Sequence, residues 1–273
     1  MNSVELAGNT LPAIGQGTWR MGEAREQRDA EVAALRLGIE LGLKLIDTAE
    51  MYGEGGAEEV VGRAIAGLRE QVYLVSKVYP HNASRQGVVQ ACERSLRRLG
   101  TEQLDLYLLH WPGSHPLEDT VAGFEQLREH GKIARWGVSN FDVADLQALP
   151  GAGCATNQVL YNPEARGVEY DLLPWCREQA MPVMAYCPIG QGGRFLEHPL
   201  LNQLAAKHQV SPAEVCLAWV IRDGNTLAIP KATDPVHVRL NARAAQLQLG
   251  AEDYAALDGA FAAPTRKQRL RMV

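Results

Sequence analysis

The sequence predicts an α/β fold, a (β/α)8 TIM barrel with an N-terminal β-hairpin plug and an extra C-terminal helix, and three observations predict it. Strand-like and helix-like segments alternate from end to end in units of roughly 30 residues, as in a parallel sheet closed on itself. The 273 residues are ordinary for one such barrel of ~250 residues. Finally, three apolar runs end in polar residues followed by turn signals: Leu45-Ile46-Asp47-Thr48, Val75-Ser76-Lys77-Val78 and Leu106-Tyr107-Leu108-Leu109-His110. The carboxyl ends of barrel strands are where this fold carries chemistry. No linker or low-complexity run interrupts the pattern, so residues 1–273 read as a single domain.

In chain order, Val4-Glu5-Leu6 turns at Gly8-Asn9 into Leu11-Pro12-Ala13, a hairpin placed to plug the barrel bottom. Residues 29–41 form an amphipathic helix ended by Gly42, followed by a short buried strand at 43–48. Residues 57–68 are helical and 72–78 a strand. Ser84 caps a helix reaching Leu99, with Gly100 at its end. A strand at 104–110 leads to the helix 117–129, and Gly131-Lys132-Ile133 turns into the strand 134–139. Asn140-Phe141-Asp142 opens a short helix that Pro150 terminates. Strands at 155–160 and 182–186 flank a helix at 172–178. Helices follow at 200–208 and 212–222, the latter with Pro212 in its first turn. The strand 227–230, the helix 235–245 and a final helix at 251–262 complete the pattern. A doubly wound sheet would want G-x-G-x-x-G after its first strand. Gly15-Gln16-Gly17-Thr18-Trp19-Arg20 has neither the third glycine nor a following helix.

At 46% hydrophobic, 22% charged and net charge -5, the chain has an ordinary globular composition and gives no reason to expect nucleic acid or an anionic membrane as partner. Met1-Asn2-Ser3-Val4-Glu5 carries no basic or apolar stretch, and no run approaches the ~18 apolar residues of a spanning helix, so a cytoplasmic protein is expected. Cys92, Cys154, Cys176, Cys187 and Cys216 show no paired spacing and read as reduced thiols, with no metal site implied.

The informative set is Asp47, Tyr52, Lys77 and His110. A phenol alone is a poor acid, with pKa ~10. A neighbouring ammonium would stabilise the phenolate, lower that pKa and let Tyr52 protonate a carbonyl oxygen. Asp47 would keep Lys77 charged and oriented, and a neutral His110 would hydrogen-bond the same oxygen. Taken singly, Asp47 reads as a helix cap, Tyr52 as a rim aromatic, Lys77 as a surface amine and His110 as a satisfied core histidine. Four such groups at strand ends reverse that reading.

Asp47-Thr48-Ala49-Glu50-Met51-Tyr52-Gly53, Ser76-Lys77, Leu109-His110-Trp111-Pro112 and Ile229-Pro230-Lys231 together resemble the signatures of the aldo-keto reductases. So do Gly131-Lys132-Ile133-Ala134-Arg135-Trp136-Gly137-Val138-Ser139-Asn140-Phe141 and Asn157-Gln158-Val159-Leu160-Tyr161-Asn162-Pro163. Several matches in order along the whole chain are far more specific than one motif. The resemblance implies an NADPH-dependent carbonyl reductase with Tyr52 as acid. It places Ser139, Asn140 and Gln158 on the nicotinamide carboxamide and the Tyr186 ring against the nicotinamide face. Residues 187–193, with Cys187, Ile189, Gly190 and Gln191, would line the pyrophosphate through backbone amides. Lys231, Ala232, Thr233, His237 and Asn241 would surround the adenosine end, and Trp19 and Trp111 would shape the substrate pocket.

The adenosine end departs from the family pattern. Where an arginine commonly grips the 2′-phosphate stands His237, Leu240 replaces a common glutamate, and Arg239 falls on another helix face. NADPH is the expected cofactor, with NADH use possible. Short loops after Trp111 and at the C-terminus resemble bacterial members that reduce small aldehydes, 2-oxoaldehydes such as methylglyoxal, or keto-sugars such as 2,5-diketogluconate. The basic segment Thr265-Arg266-Lys267-Gln268-Arg269-Leu270-Arg271 reads as a solvated, mobile tail, the alternative being a flap that attracts anionic ligands. A monomer is expected, with a small carbonyl compound as the partner. Two other functions compete: a Schiff-base lyase using Lys77 or Lys231, and a non-catalytic NADP(H)-binding sensor or regulatory subunit on the same fold. The full tetrad argues against both.

Overall fold

The computed structural model describes residues 2–151 and 153–273. An antiparallel hairpin, β1 (Ser3–Leu6) and β2 (Asn9–Pro12), opens the chain. Eight parallel strands follow: β3 (Gln16–Gly17), β4 (Leu45–Asp47), β5 (Tyr73–Val78), β6 (Leu104–Leu109), β7 (Ile133–Ser139), β8 (Cys154–Leu160), β9 (Val183–Tyr186) and β10 (Thr226–Ala228). Each pairs with the next in sequence order. The helices are α1 (Arg28–Glu40), α2 (Gly56–Ile65), α3 (Arg85–Leu99), α4 (Leu117–Glu129), α5 (Val143–Gln147), α6 (Leu172–Glu178), α7 (Pro199–His208), α8 (Pro212–Val220), α9 (Pro235–Ala244) and α10 (Ala251–Ala260).

The barrel closes between its first and last strands. Gly15 N–H donates to Ala228 O at 2.8 Å, Ala228 N–H to Ala13 O at 2.8 Å and Gly17 N–H to Pro230 O at 3.0 Å. The seam demands glycine, because a Cβ on Gly17 would lie 2.7 Å from the Ile229 carbonyl oxygen. The hairpin enters at the amino ends of the strands, burying Val4, Leu6 and Leu11 there, so the opposite end stays open. Its β-branched and leucine-rich strands, such as β5 with every residue buried, are what a sheet covered on both faces requires.

The elements follow the sequence pattern with instructive differences. α4 and α6 have the expected bounds, and Ser84 caps α3 by accepting from Gly87 N–H at 3.1 Å. Asp142 caps α5 in a reciprocal box with Asp145. The expected helix 57–68 stops at Ile65, because Ala66 leaves helical geometry and Gly67 takes φ +78°. The ladder expected at 227–230 spans Thr226–Ala228, since Pro230 has no N–H to donate. The helices expected to reach 222 and 262 end at Val220 and Ala260. The first barrel strand had no visible pattern because it is only two residues long.

Candidate active site

Strand register brings the polar strand ends together. Asp47 pairs with Val75 and Lys77 with Leu108, and His110 N–H continues the ladder to Val78 O at 3.1 Å. Beyond β4 the chain keeps following β5, with Thr48 N–H on Val75 O at 2.9 Å and Glu50 N–H on Lys77 O at 3.3 Å. A tight turn at Tyr52–Gly55, with Gly53 and Glu54 in the left-handed region, then places the Tyr52 ring over Lys77. Gly55, at φ +92°, lets the chain turn from this loop into α2.

Lys77 is fully buried. Its ammonium donates to Asp47 Oδ2 at 2.7 Å, Thr48 O at 2.9 Å and the Tyr52 hydroxyl oxygen at 3.2 Å. As an ammonium it places all three protons on these acceptors, and in that form it has no lone pair for Schiff-base chemistry. Asp47 accepts from Lys77 on Oδ2 and from Gln158 Nε2 on Oδ1 at 2.7 Å, so both of its oxygens are engaged. Burial pushes the Lys77 pKa down and that of Asp47 up, while their mutual contact opposes both shifts.

The Tyr52 phenol differs from expectation. Instead of being lowered by Lys77, its pKa is raised well above 10, first by burial and then by the Asp47 charge and the neighbouring Cys187. Removal of solvent outweighs the ammonium here. The hydroxyl therefore stays protonated, and because its oxygen accepts from Lys77 its own proton is free to point into the cavity. His110 lies across from it, ring centroids 5.7 Å apart. Burial, then the Lys77 charge, holds the imidazole pKa well below 6.5. Its Nδ1 is buried without a hydrogen-bond partner, which is not how a satisfied core histidine looks.

These groups face a cavity of about 500 Å³ at the strand carboxyl ends. Trp19, Asp47, Tyr52, His110, Trp111, Ser139, Asn140, Gln158, Tyr186, Cys187, Ile189, Gln191 and Lys231 all line it, as the sequence reading grouped them. Lys77 stands directly behind Tyr52. Gly190 belongs to the same loop, which takes positive φ at Cys187 (47°), Gly190 (60°) and Gln191 (64°). Among the amides expected to face a pyrophosphate, those of Gly190 and Gly192 instead close turns on Cys187 O and Ile189 O, because the loop folds back on itself. Thr233 precedes α9, with Ala232 packed against the core; His237 is exposed in the helix's first turn and Asn241 is buried on it, all outside the cavity lining.

Ser139, Asn140 and Gln158 already form a net. Ser139 donates to Gln158 O at 2.9 Å, and Asn140 Nδ2 to His110 O at 3.1 Å. Tyr186 donates its hydroxyl proton to Asn140 Oδ1 at 2.9 Å. This net fixes amide-type groups beside a flat aromatic ring, so the residues present fit a planar carboxamide-bearing heterocycle.

The tail is solvated along most of its length, as expected, but it lies against the barrel. Lys267 reaches Asp171 at 3.0 Å and Asp142 at 3.7 Å, Leu270 packs on the core, and Met272 and Val273 line the cavity. Two carboxylates opposite one basic side chain supply the anchorage that composition alone did not reveal. Met51, beside Tyr52, also lines the cavity and was missed. Its place one residue before the phenol was the available signal.

The Aldo/keto reductase family model matches residues 13–262. The chain is 57% identical to the methylglyoxal reductase YeaE of Escherichia coli (strain K12), over 99% of this chain and 98% of that protein. It is 34% identical to the glyoxal reductase of Bacillus subtilis (strain 168), over 92% of this chain and 89% of that one. A crystal structure of an aldo/keto reductase from Klebsiella pneumoniae in complex with NADP and acetate superposes with TM-score 0.97 at 53% identity, covering 100% of this chain and 99% of that one. On this ground, and with the barrel and strand-end cavity described above, the chain belongs to the aldo/keto reductase family.

Proposed function

We propose that this protein is an NADPH-dependent reductase of small aldehydes and 2-oxoaldehydes of the methylglyoxal kind, or of keto-sugars, with Tyr52 as the general acid. The observation that carries this reading is the Lys77–Tyr52 contact of 3.2 Å at the cavity floor, with Asp47 behind it. Small-carbonyl reductases among the similar proteins, and NADP in the related crystal structure, support the substrate class and cofactor.

Ser139, Asn140 and Gln158 would hold the carboxamide of the nicotinamide, and the Tyr186 ring would cover one face of it. Reduced nicotinamide, when bound there, supplies a hydride to the carbonyl carbon. His110 orients the substrate oxygen as a neutral imidazole, its protonation disfavoured by burial. Tyr52 gives its proton to that oxygen as negative charge develops on it. Lys77 stabilises the phenolate left behind, and solvent reprotonates it after the alcohol leaves. Trp19 and Trp111 line the cavity and would bound its substrate side, while Lys231, Thr233 and His237 would meet the adenosine phosphate. No helix among the described residues is long and apolar enough to cross a membrane. We propose a monomer, which size-exclusion chromatography with light scattering checks.

The test is loss of nicotinamide absorbance with methylglyoxal and 4-nitrobenzaldehyde, using NADPH and NADH. Turnover of either carbonyl supports the reading, and the two cofactor rates measure how far His237 weakens phosphate discrimination. Tight cofactor binding with no turnover of any small carbonyl would contradict it.

A further inference from the structure

Glu50 lies in the β4–α2 loop between Asp47 and Tyr52, yet its side chain turns away from both. The residue is 8% exposed. Oε1 accepts from the Tyr79 backbone N–H at 2.8 Å and from Asn82 Nδ2 at 2.9 Å, and Oε2 faces Arg94 at 3.4 Å. One carboxylate thus holds both ends of the short helical turn Pro80–Asn82 at the exit of β5.

That turn is the shelf on which the β6 exit loop rests, at three points. The Trp111 ring stands edge-on to Tyr79, centroids 5.9 Å apart at 89°. Gly113 approaches Pro80 so closely that a Cβ would lie 2.7 Å from the proline Cβ. His115 Nε2 is 3.3 Å from His81 O. Trp111 in turn packs on His110 at 4.8 Å and lines the cavity. By contrast, the backbone bonds that place Tyr52 over Lys77 do not involve the Glu50 carboxylate.

We propose that Glu50 is the positioning residue for the Trp111 wall, fixing substrate-side geometry through the Tyr79 turn while leaving the proton-transfer groups alone. The inference rests on Trp111 walling the carbonyl pocket as proposed above. Its charge is not essential to the contact with Tyr79, so glutamine suffices there, whereas alanine removes the acceptor and frees the turn.

The test measures KM and kcat for methylglyoxal and 4-nitrobenzaldehyde at saturating NADPH, with Glu50→Ala, Glu50→Gln and Tyr79→Ala, each with Trp111 and with Trp111→Ala. A misplaced wall should raise KM about tenfold in Glu50→Ala and Tyr79→Ala, with kcat within about twofold. Glu50→Gln should retain the wild-type KM, and Glu50→Ala should add nothing once Trp111 is alanine. An unchanged KM in Glu50→Ala, or an equal rise in the Trp111→Ala background, would overturn the proposal. Should Glu50→Ala fail to fold, Asn82→Ala, which removes one of the two bonds by which Glu50 holds the turn, carries the same two outcomes. A wild type that turns over neither carbonyl defeats the reductase reading instead. Amide exchange over residues 111–115 then decides Glu50, faster exchange in Glu50→Gln/Asn82→Ala supporting the shelf and unchanged exchange refuting it.

Discussion

The floor of the cavity and the exposed edge at the start of α9, proposed to meet the adenosine end of the cofactor, are built on opposite plans. At the floor, Asp47, Lys77 and Gln158 are buried, each Asp47 carboxylate oxygen accepts a hydrogen bond, and the Lys77 ammonium has all three of its protons placed on acceptors. At the edge, Lys231, Asp234, Val236, His237 and Arg239 are all exposed on the approach to α9 and its first turns. A change at the floor leaves a buried charge without its partner, while a change at the edge meets water. On the proposed reading, chemistry would rest on a network in which one substitution strands a buried charge, and cofactor preference on exposed groups that can be exchanged one at a time.

The sharpest way to break that contrast is Lys77→Met. Removing one member of a buried pair should cost about 3–5 kcal/mol of stability, with loss of turnover. Chemical denaturation checks this, and pairing the change with Asp47→Asn should recover part of the stability. At the edge, His237→Arg should raise the NADPH-over-NADH ratio of kcat/KM about tenfold, about 1.4 kcal/mol from a charge-assisted contact, with folding stability unchanged. A matching loss of stability would show the edge to be as coupled as the floor.

The tail stands between the two. Deleting residues 265–273 removes Met272 and Val273 from the cavity rim, together with the Lys267 contacts to Asp171 and Asp142. The carbonyl KM should rise about threefold while kcat changes little, since lost rim contacts weaken ground and transition state alike. An unaltered KM would return the segment to a bystander.

The smallest effect is acid sensitivity. His110 has its folded pKa held below the usual 6.5 by burial and by Lys77. Its contribution to stability is complete above that value. As pH falls below it, the unfolded chain takes up a proton the folded one refuses, and stability declines. His110→Gln should flatten that part of the stability–pH curve in urea titrations. A steeper curve in the variant would reverse the assignment.

How much of this was legible beforehand divides along the same line. Asp47, Lys77 and His110 were visible because a strand run ends in a polar residue, and strand ends in a closed barrel converge by construction. The strand Gln16–Gly17 was not, because two residues carry no period and the seam glycine is explained only by the neighbouring Ile229 carbonyl. Gln158 was placed on the cofactor side, but its bond to Asp47 spans 111 positions of sequence. The direction of the Tyr52 pKa shift is not legible in the sequence, because a charge pair can be inferred from residue types, whereas desolvation depends on what finally surrounds the ring. Glu50 and the tail escaped for a related reason: their partners, Tyr79 and Asn82, Asp142 and Asp171, come from other strand exits.

The central claim is that the Tyr52 hydroxyl delivers the proton, and Tyr52→Phe tests it most directly, with NADPH affinity measured by fluorescence alongside turnover of 4-nitrobenzaldehyde. Loss of one positioned acid should lower kcat by about 10²–10⁴-fold with NADPH affinity unchanged. Wild-type turnover in Tyr52→Phe would contradict the account and move the proton source elsewhere in the cavity.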